Sequence, residues 1–121
     1  MPSDDVVDEI NRWSREFCER IVAQLEIVER ARQQLGEACN ESNSNAALRD
    51  IRARAHHLAG SGGIFGFPEV SEAAAPLEEF IDAIVDRGAT ISEAQGEDLD
   101  HLIETLRNAC SRAVVVASDP A

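Results

Sequence analysis

Residues 55–66 read Ala-His-His-Leu-Ala-Gly-Ser-Gly-Gly-Ile-Phe-Gly and hold two of the chain's three histidines together with Gly60, Gly62, Gly63 and Gly66. An imidazole with a free ring nitrogen is a nucleophile near neutral pH and needs no general base to attack phosphorus. Glycine inside a helix costs about 1 kcal/mol relative to alanine. A glycine cluster just after a histidine therefore implies close approach by another molecule.

Other chemistries fit the sequence less well. His56 and His57 diverge by about 100° on a helix, so they cannot share one metal ion. The residues a turn away, Arg52, Ala53, Gly60 and Ser61, supply no imidazole or thiolate. His101 follows Glu97 and Asp98 at a spacing used in di-iron bundles, but such a site needs that motif twice. No metal site is expected, and His101 reads as a partly solvated helix residue. Ser61 lies in no G-x-S-x-G elbow. The Glu78-Glu79 and Glu97-Asp98 pairs read as solvated faces of an acidic surface.

The whole chain has 121 residues, enough for one domain with its own core. A single domain over 1–121 is expected, with an ordered core over residues 4–116. Eleven basic residues against 23 acidic ones give a net charge of −12, which argues against nucleic acid or anionic membranes as partners. All eleven basic residues are arginine, which excludes a P-loop lysine, a Schiff-base lysine and a Ser-Lys nucleophile. Cys18, Cys39 and Cys110 have no C-x-x-C spacing and read as free thiols of a reducing cytoplasm. The N-terminus does not read as a signal peptide, and the run from Ala113 to Ala117 is too short to cross a bilayer. A cytoplasmic protein is expected.

The elements that must position the histidines are helices. From Asp4 to about Leu35, apolar residues including Val6, Val7, Ile10, Trp13, Phe17, Ile21, Leu25 and Val28 recur at steps of three and four. This is one long helix capped by Ser3, or a short extra N-terminal helix running into a long one near Ser14, with Trp13 and Phe17 as core anchors. Gly36 to Asn45 reads as a loop. A second helix starts near Ser44 or Asn45 and buries Leu48, Ile51, Ala55, Leu58 and Gly62. His56 then lies about 120° from the centre of that stripe and His57 about 140° away on its other side, so both rings point outward. Gly60 and Gly63 fall within about 40° of His56. The outer face beyond the imidazole is bare and makes a docking platform. Ser61 can return its hydroxyl to a carbonyl one turn back, and Gly66 suits a left-handed helix end.

A third helix, Pro68 to about Asp86, buries Val70, Ala73, Ala74, Leu77, Phe80, Ile81 and Ile84, with a kink expected at Pro76 and an end at Arg87-Gly88. Ser92, with Glu93 behind it, starts a last helix that carries Leu99, Leu102, Ile103, Leu106, Ala109, Cys110 and Ala113 to about Val116. No stretch reads as a strand. The fold class is all-α, an antiparallel four-helix bundle.

The run His56, His57, Leu58, Ala59, Gly60 and Ser61, then Gly66, then Leu77-Glu78 resembles the signature of histidine-containing phosphotransfer (HPt) domains, and the bundle covers nearly the whole chain. The resemblance implies that His56 is the phospho-acceptor of a two-component phosphorelay, moving a phosphoryl group between receiver-domain aspartates. It implies no ATP site and no cofactor, with Mg²⁺ held by the partner receiver. The partners implied are response-regulator receivers or a hybrid histidine kinase, met through Arg49, Arg52, Ala53, Ala59, Gly60, Gly63 and Ile64. The last two helices would mainly support the bundle. The family usually has lysine where this chain has Ala59. Arg52, one turn before His56, is placed to supply some of the missing charge, so Arg52→Ala is expected to slow phosphorylation more than Arg54→Ala.

Two rival readings remain open at this point. An HPt-like adaptor could bind a receiver or kinase without phosphotransfer, as the missing lysine suggests. A dimeric phosphotransferase could pair two chains into one four-helix core, but a chain with four long helices of its own has little need of a second copy. A monomer is expected. His57 reads as plain surface.

Overall fold

The computed structural model describes residues 4–37, 40–63, 66–86 and 91–118. Ser3, Cys39, Ile64, Arg87 and Gly88 lie outside them, and the side chains of Val6, Val7, Ile10 and Trp13 lie outside the described side chains. Four helices follow in order: α1 (Asp4–Glu37), α2 (Glu41–Gly62), α3 (Pro68–Asp86) and α4 (Glu93–Ser118). Among the described residues there is no strand. Each helix packs against two neighbours, α1 on α2 and α4, and α3 on α2 and α4, which closes a ring with the core at its centre. Pairs that cross the ring run in opposite senses along each helix: His56 meets Glu78 and Arg52 meets Asp82, while Arg32 meets Asp100 and Glu29 meets Arg107. The bundle is therefore antiparallel.

α1 is continuous across Ser14, the first of the two expected forms. α2 starts earlier than the sequence suggested. Asn40 is extended (φ −144°, ψ 162°) and its carboxamide oxygen accepts the Asn43 amide at 2.8 Å. The Ser44 amide donates to the Asn40 carbonyl at 3.2 Å, so Ser44 and Asn45 already lie inside the first turns. An asparagine at this position satisfies an amide that the helix cannot. At α4 the Ser92 hydroxyl accepts from the Gln95 amide (3.1 Å), and the Gln95 side chain accepts from the Ser92 amide (2.9 Å). This is a reciprocal capping box that uses Gln95, not Glu93.

The core is apolar throughout. Phe17, Ile21 and Val28 of α1 meet Leu48, Ile51, Ala55 and Leu58 of α2, with Val70, Leu77 and Ile81 of α3 and Leu99, Leu106 and Cys110 of α4 behind them. Among the described residues no polar or charged side chain is fully buried. Phe80 and Leu102, expected inside, are half-buried at the edges of the core. α3 continues through Pro76, which is exposed.

The α2–α3 turn sets the height of the histidine face. The Phe67 amide donates to the Gly62 carbonyl at 2.8 Å, and Gly66 takes the left-handed conformation expected of it (φ +85°). Phe67 then stacks on Phe17 of α1, ring centroids 5.5 Å apart. This contact ties the turn to the bundle.

Candidate functional site

His56 projects from the outer face of α2 with its side chain 76% exposed. Its Nδ1 lies 2.7 Å from Oε1 of Glu78 on α3, a side chain only 21% exposed. A carboxylate can only accept, so the proton of this bond belongs to Nδ1. In the neutral ring the lone pair is then on Nε2, and among the described residues nothing engages that atom. The expectation that Glu78 is a solvated acid fails here. It is the residue that orients the imidazole.

One turn back on α2 and one turn on along α3, Arg52 pairs with Asp82, both about half exposed. The His56–Glu78 and Arg52–Asp82 pairs form two successive rungs across one helix interface. Sequence reasoning placed Leu77-Glu78 in a motif without giving Glu78 a partner, and it missed Asp82. The available signal was the matched spacing of four, 52 to 56 on one helix and 78 to 82 on its antiparallel neighbour.

The glycines divide into two kinds. A Cβ added at Gly62 would sit 2.8 Å from the Ser71 amide nitrogen and 3.1 Å from the Phe67 carbonyl oxygen. This residue therefore lets the backbones of α2 and α3 approach, and Ser71 Oγ donates to the Ala59 carbonyl at 2.5 Å beside it. Gly60 and Gly63 would meet nothing within 4 Å and are exposed. They leave the face beside His56 without side chains.

Of the other residues expected at the rim, Arg49, Arg52 and Ala53 are exposed on the same side of α2 as His56. Ala59 is half-buried against the core rather than open, and Ile64 lies outside the described residues. His57 is exposed, and its carbonyl accepts the Ser61 hydroxyl at 2.7 Å, the local tie expected. Arg54 turns toward α1, where Nη1 donates to Gln24 at 3.1 Å. His101 is exposed on α4, where its carbonyl accepts the Thr105 hydroxyl at 3.0 Å.

Among the described residues no group of three or more His, Cys, Asp or Glu side chains is arranged to hold a metal ion. A cavity of about 500 Å³ lies elsewhere, between Phe67, Pro68 and Val70 and the Ala109–Ala113 stretch of α4. The His56 ring itself stands exposed on the helix surface. Such an arrangement can present a nucleophilic nitrogen to a macromolecule but cannot enclose a small substrate.

The family model described as Hpt domain matches residues 13–109. No curated protein and no solved structure matches the chain. Among the described residues no helix is long and apolar enough to cross a membrane.

Proposed function

Because the chain belongs to the Hpt domain family, the phosphotransfer carriers that work with receivers and kinases in phosphorelays, we propose that His56 is its phospho-acceptor and carries a phosphoryl group between receiver-domain aspartates. The observation that supports this reading is the imidazole held at Nδ1 by Glu78, with Nε2 free on a face left bare by Gly60 and Gly63.

The chemistry follows from that hydrogen bond. The Nε2 lone pair forms a new N–P bond while the P–O bond to the receiver's aspartate breaks, and the aspartate leaves as a carboxylate. The ring keeps its proton on Nδ1 and becomes a phosphoimidazolium, whose positive charge faces the Glu78 carboxylate 2.7 Å away. Glu78 thus stabilises the charge that develops as phosphorus is captured. In the reverse direction the retained proton lets a neutral imidazole leave. Phosphoryl transfer needs in-line positioning and charge neutralisation more than acid or base groups. The bare glycine face provides access, and neutralisation of the phosphoryl oxygens falls largely to the receiver and its Mg²⁺. No ATP is required of this chain.

One observation favours a second reading. Position 59 is a half-buried alanine, and the arginine nearest in sequence on that flank is already paired with Asp82. An adaptor that docks on a receiver without accepting phosphate would have this character.

Transfer of labelled phosphate from a phosphorylated receiver with Mg²⁺ separates the two. Wild type and His57→Gln are expected to take acid-labile, base-stable label, and His56→Gln none. Binding of a receiver with no label on the wild-type chain, across a panel of receivers, would establish the adaptor instead.

A further inference from the structure

The two rungs across α2 and α3 form one charge system, and its reading rests on His56 being the acceptor. Arg52, Asp82 and Glu78 carry formal charges of +1, −1 and −1, so the surroundings of a neutral His56 ring sum to −1. A phosphoryl group on Nε2 brings about −2 on its oxygens, of which the phosphoimidazolium ring offsets only one charge. Without a cation at hand, the site repels what it must hold.

Of the described arginines, Arg52 is the one a single turn from His56. It lies about 40° from His56 around α2, on the flank that faces α3, where Cβ atoms at this spacing are about 5–6 Å apart. Arg54 is turned away toward Gln24, and Arg49 stands two turns off, about 10 Å along the axis. Arg52 is not free, however. Its guanidinium is paired with Asp82, and both side chains are about half exposed. A pair so solvated is weakly held and can exchange partners.

We infer that Arg52 is the phosphoryl-neutralising cation of this site and that Asp82 is a positioning residue that competes for it. On arrival of the phosphoryl group, the guanidinium exchanges one carboxylate for three phosphoryl oxygens of higher charge. Asp82 thereby sets how readily His56 is charged with phosphate. The flank also has a position one turn on the other side of His56, residue 59, from which a lysine would reach the same oxygens.

Phosphoramidate, a small anionic donor, tests this without a partner protein. Its P–N bond breaks as the His56 Nε2 lone pair bonds to phosphorus, the ammonium nitrogen keeps the bonding pair and leaves as neutral ammonia, and Nδ1 keeps its own proton. The rate of phosphorylation is followed by phosphorus NMR, with His56→Gln as the site control and thermal melting as the fold control. Asp82→Asn is expected to raise the rate about threefold to tenfold, and Arg52→Ala to lower it by a similar factor, both effects shrinking in high salt. Asp82→Asn in the Arg52→Ala background should gain little. Arg52→Ala with Ala59→Lys should recover the rate, an outcome no structural role for Arg52 explains, whereas Arg54→Ala should leave it near wild type.

An undiminished effect of Asp82→Asn without Arg52, or no effect of Arg52→Ala, overturns the inference while leaving His56 as acceptor. Phosphorylation of His56→Gln as fast as wild type would overturn the acceptor reading and this inference together.

Discussion

The α2–α3 and α1–α4 interfaces are built on one plan, with antiparallel helices, apolar seams and arginine–carboxylate pairs across the rim, yet only one of them is finished. On α1–α4, Arg32 grips Asp100 through Nε and Nη2 at 2.6 and 3.2 Å, and Arg107 grips Glu29 at 2.6 Å. Even its glycine is covered, since a Cβ at Gly96 would meet Arg32 Nη2 at 3.5 Å. On α2–α3 the same kind of pairing leaves an imidazole nitrogen unengaged and two glycines open to solvent. An unfinished surface held on a rigid seam is what a transient partner requires. The contrast separates residues that close the bundle from residues that, on the proposed function, are left open for another protein.

The sharpest way to break that contrast is at the seam. Gly62→Ala puts a methyl group against backbone atoms of Ser71 and Phe67 that cannot rotate away. A loss of about 3 kcal/mol is expected, the upper part of the usual range for overpacked sites, outweighing the gain of about 1 kcal/mol in helix propensity. Urea unfolding measures it directly. If Gly62→Ala were as stable as wild type, the division of the glycines into two kinds would be lost.

The α1–α4 side is probed by its buried thiols. Cys18 and Cys110 are free and buried, and Cys18 Sγ approaches the Ala113 carbonyl at 3.9 Å. Burial pushes the Cys18 thiol up, and burial with the neighbouring Cys18 pushes Cys110 up to about 11. Both raised values mean that the folded state keeps protons the unfolded state releases. Stability is therefore whole below about pH 9 and falls as pH rises toward 11. The chain has no lysine and no tyrosine, so few other groups titrate in that window. A loss on the order of 1–2 kcal/mol between pH 8.5 and 11 is expected for wild type. Cys110→Ala should start lower at neutral pH but show a flatter alkaline limb. An identical limb in that variant would place the titration elsewhere, and the α1–α4 seam would lose its claim to be closed.

The same contrast explains what could be read from the sequence. Apolar spacing alone located the four helices, because Leu48, Ile51, Ala55 and Leu58 can face one way only if the chain is helical there. Their outward complement, His56 with Gly60 and Gly63, followed from the same projection. Helix starts were less legible, since Asn40, Ser44 and Asn45 are all good caps and only the backbone geometry at Asn40 chooses between them. Glu78 and Asp82 were not assigned because their matched spacing of four with Arg52 and His56 becomes a pairing only once the register between α2 and α3 is known. That register is set by the close contact at Gly62 and Ser71, and helical periodicity carries no information about it.

The smallest effect isolates the open face. Gly60 is helical and exposed, and a Cβ there would touch nothing within 4 Å. Gly60→Ala should therefore stabilise the chain by about 0.5–1 kcal/mol, from helix propensity and a less flexible unfolded state. The added methyl group lies about 40° from His56 and one turn beyond it, where a docking receiver would bring its backbone. Stability and transfer should then move in opposite directions, with a higher melting temperature and slower phosphotransfer from a receiver. The rate with a small donor such as phosphoramidate should be unchanged, because that molecule needs no docking face. A Gly60→Ala chain that is more stable and takes phosphate from the receiver at the wild-type rate would show the bare surface to be incidental, leaving the held imidazole as the only feature that sets α2–α3 apart from α1–α4.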